Sequence, residues 1–342
     1  MTENTKSVPD KKPTKIDIKD KKIMSILAQD SRAPLSKVGK SVLLSRDTVD
    51  YRIKRLIQKK AITLFHPKIN YKKLGYFTYH VFMLIDEVHP ERKEEFISAL
   101  RKEEHVIMVI EYSDKWDLEV IMIAKNVEEF DTAITTISRR FPKMILEKDI
   151  LEVITSYCDL ELPREVTKHH IELQTKKDNT LQQIKLDKKD FEILHSLCKD
   201  AKASTYNIGE TIGLSNDAVI YRMKKLLSQN IIEKFTTMFD FDILGYHTYM
   251  CTIQVTDFDK EHEDKFKEFV KNHNNIVKAE KTLGIWDLLI MIVVQNPIDF
   301  HKTLKEIKKE FSDIIKTHDV WIEYKMQFFE PTTDILKNNI QE

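Results

Sequence analysis

The sequence predicts an α+β chain made of two repeats, each a three-helix unit followed by a βαββαβ unit. Three observations lead there. The stretch LSRDTVDYRIKR, from Leu44 to Arg55, returns as LSNDAVIYRMKK from Leu214 to Lys225, 170 positions on. That offset holds without a gap from Asp17 to Ile150. Within each copy, helical periodicity gives way to alternating strand-like and helix-like runs. A register this long indicates internal duplication, an array of two rather than a solenoid.

The elements follow in order. Residues 1–15 are polar and lysine-rich and read as a disordered tail. From Ile16 the pattern is helical, with Ile23, Ile26 and Leu27 on one apolar face, ended by the polar DSRA at 30–33. Pro34 suits the start of a second helix, with Val38 and Val42 facing inward. Ser45 is an N-cap, and the third helix puts Val49, Ile53, Leu56 and Ile57 on one side. Arg46, Asp50, Tyr51, Lys54, Arg55 and Gln58 are left on the other. A strand pair opening at 61–65 completes a winged helix-turn-helix over 16–66.

Residues 67–157 read as strand 77–86, helix 91–103, strands 105–112 and 116–124, helix 127–141 and strand 145–154. This is the ferredoxin-like order. Residues 158–184 lack periodicity and read as a linker. The pattern then repeats as a helix-turn-helix over 185–236 and a ferredoxin-like domain over 237–327, with a tail at 328–342.

Composition bounds the function. With 342 residues and 42% hydrophobic content the chain is long enough for several cores, and 6 Gly and 9 Pro argue for few long loops. The three cysteines, Cys158, Cys198 and Cys251, give neither a disulfide framework nor a CxxC metal site. No signal core and no membrane-length apolar run is present, so the expected location is the cytoplasm. The adjacent His169 and His170 lack further ligands at metal spacing and read as solvated. No nucleophile elbow, phosphate loop or Ser/His/Asp set fits, and no cofactor or metal site is predicted.

Lys+Arg 55 against Asp+Glu 55 lacks the basic excess of a dedicated nucleic-acid binder, so local charge decides. Over 37–60, eight cations (Lys37, Lys40, Arg46, Arg52, Lys54, Arg55, Lys59, Lys60) against Asp47 and Asp50 give +6. Over 207–230, Arg222, Lys224 and Lys225 against Glu210 and Asp217 give +1. Cations neutralise phosphates and side chains with paired donors and acceptors read bases. DNA-binding residues are therefore predicted at Arg46, Thr48, Asp50, Tyr51, Arg52, Lys54 and Arg55. In the copy they are Asn216, Tyr221, Arg222, Lys224 and Lys225. Arg52 and Arg222 admit a second reading as half-buried ion-pair partners, and Tyr51 and Tyr221 as packing residues.

The aspartate-led first helix, the LSxDxVxYRxKxL run, LGY at 74–76 and 244–246 and the WD pairs at 116–117 and 286–287 resemble the Lrp/AsnC, or feast/famine, transcription regulators. The resemblance implies a DNA-binding domain and a second domain that dimerises and takes an amino acid or other small effector. Two units in one chain imply an intrachain pseudo-dimer or a homo-oligomer, with double-stranded DNA as partner. The glycine usual in the family before the wing is replaced by Lys60 and Asn230. The glycine ahead of the second WD pair stands at Gly284, where the first half has Asp114. An effector site is accordingly expected at Gly284, Asp287 and Asp117. The alternatives are a siroheme decarboxylase-like enzyme of the same fold family, or a metabolite-sensing scaffold with degenerate helices. The decarboxylase resemblance implies a His and an Arg on the strand before the central turn, and VIEYS at 109–113 and AEKTL at 279–283 carry neither.

Overall fold

A computed structural model describes residues 14–167 and 186–329. The first repeat opens with α1 (Ile18–Gln29), α2 (Leu35–Val42) and α3 (Arg46–Gln58). It continues with β1 (Ile62–Ile69), a 3-10 turn at Tyr71–Leu74, β2 (Phe77–Ile85), α4 (Pro90–Leu100), β3 (Val106–Ser113) and β4 (Leu118–Ala124). α5 (Val127–Arg140), β5 (Ile145–Asp159) and the single turn α6 (Arg164–Thr167) complete it. The second repeat has α7 (Lys188–Lys199), α8 (Thr205–Ile212), α9 (Asn216–Ser228), β6 (Ile232–Phe239) and β7 (His247–Val255). α10 (Lys260–Asn272), β8 (Ile276–Leu283), β9 (Leu288–Val294), α11 (Pro297–Glu310) and β10 (Ile315–Phe329) follow.

The helical units form as their sequence dictates. Asp17 caps α1 and Asp187 caps α7, each in a reciprocal capping box with the aspartate three residues on. Ser45 accepts the Thr48 amide and Ser215 the Ala218 amide, starting α3 and α9. Val49, Ile53 and Leu56 bury one face of α3, as Val219, Met223 and Leu226 do in α9.

Three expectations need correction. The wing is not a strand pair within one unit. Each repeat supplies a single strand, and β1 pairs antiparallel with β6 of the other repeat, Phe65 opposite Thr237. The chain runs from β1 through the Asn70-capped turn straight into β2, so β1 has no hairpin partner of its own. Its amides are satisfied only across the pseudo-dyad. β1 also continues through Pro67 to Ile69, which this two-stranded ribbon tolerates. Finally, β5 and β10 run fifteen residues each, beyond the 145–154 strand and into the segments assigned to linker and tail. Residues 168–185, with His169 and His170, lie outside the described residues, as do 1–13 and 330–342.

The long strands explain the architecture. β5 pairs with β2 up to Glu152 and then with β8 from Glu152 onward, and β10 passes likewise from β7 to β3. The two sheets therefore close into one eight-stranded barrel, in the order β10-β3-β4-β2-β5-β8-β9-β7. The outer sheet faces are covered by helices, with Phe96, Phe130 and Ile134 against the first and Phe266, Ile307 and Phe311 against the second. Inside the barrel, Phe82, Tyr112, Trp116, Met250, Trp286 and Trp321 make a shared core. No helix among the described residues is long and apolar enough to cross a membrane.

Candidate nucleic-acid interface

α3 and α9 are the third helices of their units and keep one face in solvent. Tyr51 is 66% exposed and Tyr221 71%, which sets aside a packing role for either ring. Arg46, Lys54, Asn216 and Lys224 are exposed with them, and Thr48 and Asp50 are half-exposed. Lys54 Nζ lies 2.7 Å from Asp50 on the next turn. Thr48 shares a 2.8 Å hydrogen bond with the Ser45 cap.

The arginines behave differently. Arg52 donates from Nη1 to Asp17 and to Asp20, both at 2.8 Å, and Arg55 also binds Asp20. In the copy, Arg222 binds Asp187 and Asp190 at 2.7 Å and Lys225 lies 3.3 Å from Asp190. Asp20 and Asp190 are fully buried. The Asp17 hydrogen bond holds the Arg52 guanidinium above its ordinary pKa, and Asp187 does the same for Arg222. Burial alone would raise the Asp17 and Asp187 carboxyls, but the arginines hold both below the usual range. These cations tie the third helix of each unit to the first helix of the same unit.

The two units are also clamped to each other. Arg32 sits 5.2 Å from the Phe235 ring centroid and binds the Ala201 carbonyl, while Lys202 sits 3.8 Å from that of Phe65. Thr236 and Thr237 of β6 donate to the carbonyls of Ala28 and Leu27, satisfying the orphan end of α1. The first unit shares one apolar core with Phe239, Leu244 and Tyr246 of the second repeat.

Around the WD pairs the carboxylates are already engaged. Asp117 accepts the Ile85 amide and Asp287 the Val255 amide, each at 2.8 Å, latching the central turn to the neighbouring strand. Gly284, at φ +156°, packs so closely on β5 that a Cβ would stand 2.5 Å from the Ile150 carbonyl oxygen. Trp116 and Trp286 are buried core.

A buried polar cluster inside the barrel escaped the sequence reading. His80 binds Glu119 through Nδ1, and Tyr112 donates to the other Glu119 oxygen at 2.5 Å. His80 Nε2 and Lys278 Nζ each lie 3.2 Å from Glu280 Oε2, yet Nε2 and Oε2 make no hydrogen bond of good geometry. Burial would lower the His80 imidazolium, but the two carboxylates hold it above its ordinary value. The repeat itself held the signal: at positions equivalent to His80 and Glu119 the copy has Met250 and Leu289, and Ile110 answers Glu280. A cleft of about 2660 Å³ between the β1–β6 ribbon and the barrel reaches His80, Glu119 and Glu280.

Comparison with known proteins agrees with this geometry. The AsnC-type helix-turn-helix domain matches twice, at residues 16–57 and 186–227. An uncharacterized HTH-type transcriptional regulator of Pyrococcus furiosus is 30% identical over 150 residues, 44% of this chain and 95% of that protein. The transcriptional regulator AzlB of Bacillus subtilis is 32% identical over 114 residues, 33% of this chain and 73% of that one. Among solved structures, the siroheme decarboxylase NirDL superposes with a TM-score of 0.58 at 11% identity, covering 95% of this chain and 99% of that one. At that identity the likeness is one of fold alone. The chain belongs to the Lrp/AsnC family of helix-turn-helix transcriptional regulators, with the family unit present twice.

Proposed function

We propose that this protein regulates transcription by binding double-stranded DNA in the cytoplasm through α3 and α9. The observation that supports it most directly is the pair of exposed, similarly built helices, clamped together by the β1–β6 ribbon and the Arg32 and Lys202 contacts. The barrel closes within one chain, so one chain is the DNA-binding unit. Affinity is dominated by the first unit. With Arg52, Arg55, Arg222 and Lys225 assigned to internal ion pairs, Lys37, Lys40, Arg46, Lys54, Lys59 and Lys60 remain around α3, whereas Lys224 alone remains in the matching window. Fluorescence anisotropy against salt tests this: Arg46→Ala with Lys54→Ala is expected to lower both affinity and salt slope, the latter by about 1 for a phosphate met by Lys54. An unchanged slope and affinity would remove α3 as the reader.

We propose the cleft between ribbon and barrel as the site of a small effector, in preference to Asp117 and Asp287, whose carboxylates hold backbone amides. A thermal-shift screen of amino acids tests this: a ligand of the native state raises the melting temperature by mass action. Glu280→Gln is expected to abolish the response. A response that survives it, and is lost in Asp287→Asn, would move the site to the turn. The decarboxylase reading lacks support in the strand residues at 109–113 and 279–283. Anaerobic incubation with siroheme is expected to return it with its carboxyl groups intact.

A further inference from the structure

The two recognition helices share a frame but present different chemistry. The first helical position is Arg46 in α3 and Asn216 in α9, each exposed and one residue past its serine cap. The fifth position is Asp50 in one and Ile220 in the other. Asp47 and Asp217, Tyr51 and Tyr221, and Lys54 and Lys224 are common to both.

We propose that the operator is non-palindromic, one chain reading two unlike half-sites: a guanine under Arg46 and an adenine at the equivalent place under Asn216. The inference rests on the DNA-binding reading above. In helix-turn-helix complexes the N-terminal residues of the recognition helix reach the base edges. An arginine pairs through two hydrogen bonds with guanine O6 and N7, and an asparagine with adenine N6 and N7. The surroundings of each residue fit its role. Arg46 has no ion-pair partner among the described residues, and the position equivalent to Thr205 in its unit is the apolar Leu35. The Thr205 hydroxyl donates to Asn216 Oδ1 at 2.6 Å, which orients the amide. That oxygen keeps a second lone pair for an adenine amino group, and the amide nitrogen keeps its protons for N7. The fifth position adds to the difference. Asp50 is occupied by Lys54, whereas Ile220 offers an apolar surface suited to a thymine methyl. The clamp between the two units fixes the spacing of the half-sites, so the asymmetry is read in one orientation.

The test is selection of bound duplexes from a randomised pool by the full chain and by Arg46→Asn and Asn216→Arg. Both positions are exposed, and circular dichroism confirms that each variant is folded. The wild-type consensus is expected to have unlike halves, each favoured base preferred by roughly tenfold or more. Arg46→Asn should turn it towards a palindrome with adenine at both positions, and Asn216→Arg towards one with guanine at both. A palindromic wild-type consensus overturns the inference. So does an Arg46→Asn protein that weakens on all duplexes alike with its consensus unchanged, the signature of a phosphate contact. If no protein enriches any duplex, the DNA-binding reading itself fails, and that result is told apart from the others.

Discussion

Arg32 and Lys202 occupy the same place in the two repeats, and each covers an aromatic ring of the other: Arg32 that of Phe235, Lys202 that of Phe65. Burial lowers both pKa values, so both cations are partly withdrawn from water where a ring quadrupole attracts them more strongly. Each alanine substitution is expected to cost about 1 kcal/mol in urea unfolding. Arg32→Ala with Lys202→Ala should weaken binding to a full operator more than to an isolated half-site, since it loosens the spacing between readers. Equal losses on both duplexes would show that the clamp does not set that spacing.

Asp20 is the anchor of the first recognition helix. Its carboxylate is wholly buried and takes Arg52, Arg55 and the Asp17 amide. Asp20→Ala should destabilise the protein by about 2–3 kcal/mol, the range for hydrogen bonds to charged groups. Asp190→Ala should cost less, because a longer lysine contact replaces the second arginine there. Chemical denaturation of the two variants checks the order.

The barrel cluster makes stability depend on pH. His80 titrates above its unfolded value of about 6.5, so its contribution is complete below that pH and is lost as pH rises through the folded value. Unfolding free energy should therefore fall on the alkaline side. His80→Met, which inserts the residue of the other repeat, leaves Glu119 buried without its cation and should cost about 3–5 kcal/mol. Adding Glu119→Leu should recover most of that loss and remove the alkaline decline. A decline unchanged in the double variant would assign it to other groups.

Lys60 and Asp114 are two of the six described non-glycine residues that carry left-handed backbone. Lys60 has φ 59° and Asp114 has φ 109°. Lys60→Gly and Asp114→Gly should each raise stability by about 1 kcal/mol, the strain of that conformation for a residue with a Cβ. Lys60→Gly should also lower the salt slope of DNA binding by removing one cation.

Much of this was legible in the sequence because duplication doubles every signal. The caps at Asp17, Ser45, Asp187 and Ser215 and the apolar faces of α3 and α9 stand at matched positions. What local pattern cannot carry is the pairing partner. The period of β1 reads the same whether its neighbour is a hairpin arm or β6 of the other repeat. The extra length of β5 lies in TSYCD at 155–159, where the partner β8 makes a strand of it. Arg52 reads equally as a DNA contact or as an ion-pair partner, because charge on a helix face does not say which aspartate folds back onto it. His80 and Glu119 were legible only as departures from their own copies.

The passage of β5 from its own sheet into the other has a consequence for the protein's company in the cell. A regulator assembled from separate single units exchanges subunits with its relatives, and mixed pairs follow from their relative concentrations. Here the partner sheet is tethered to the same chain, so its effective concentration outcompetes a free subunit. On the DNA-binding reading proposed above, the two helices are expected to be insulated from paralogues. A substitution in α9 is then inherited with one fixed α3, and the pair can drift apart in sequence preference without ever being diluted by mismatched assemblies.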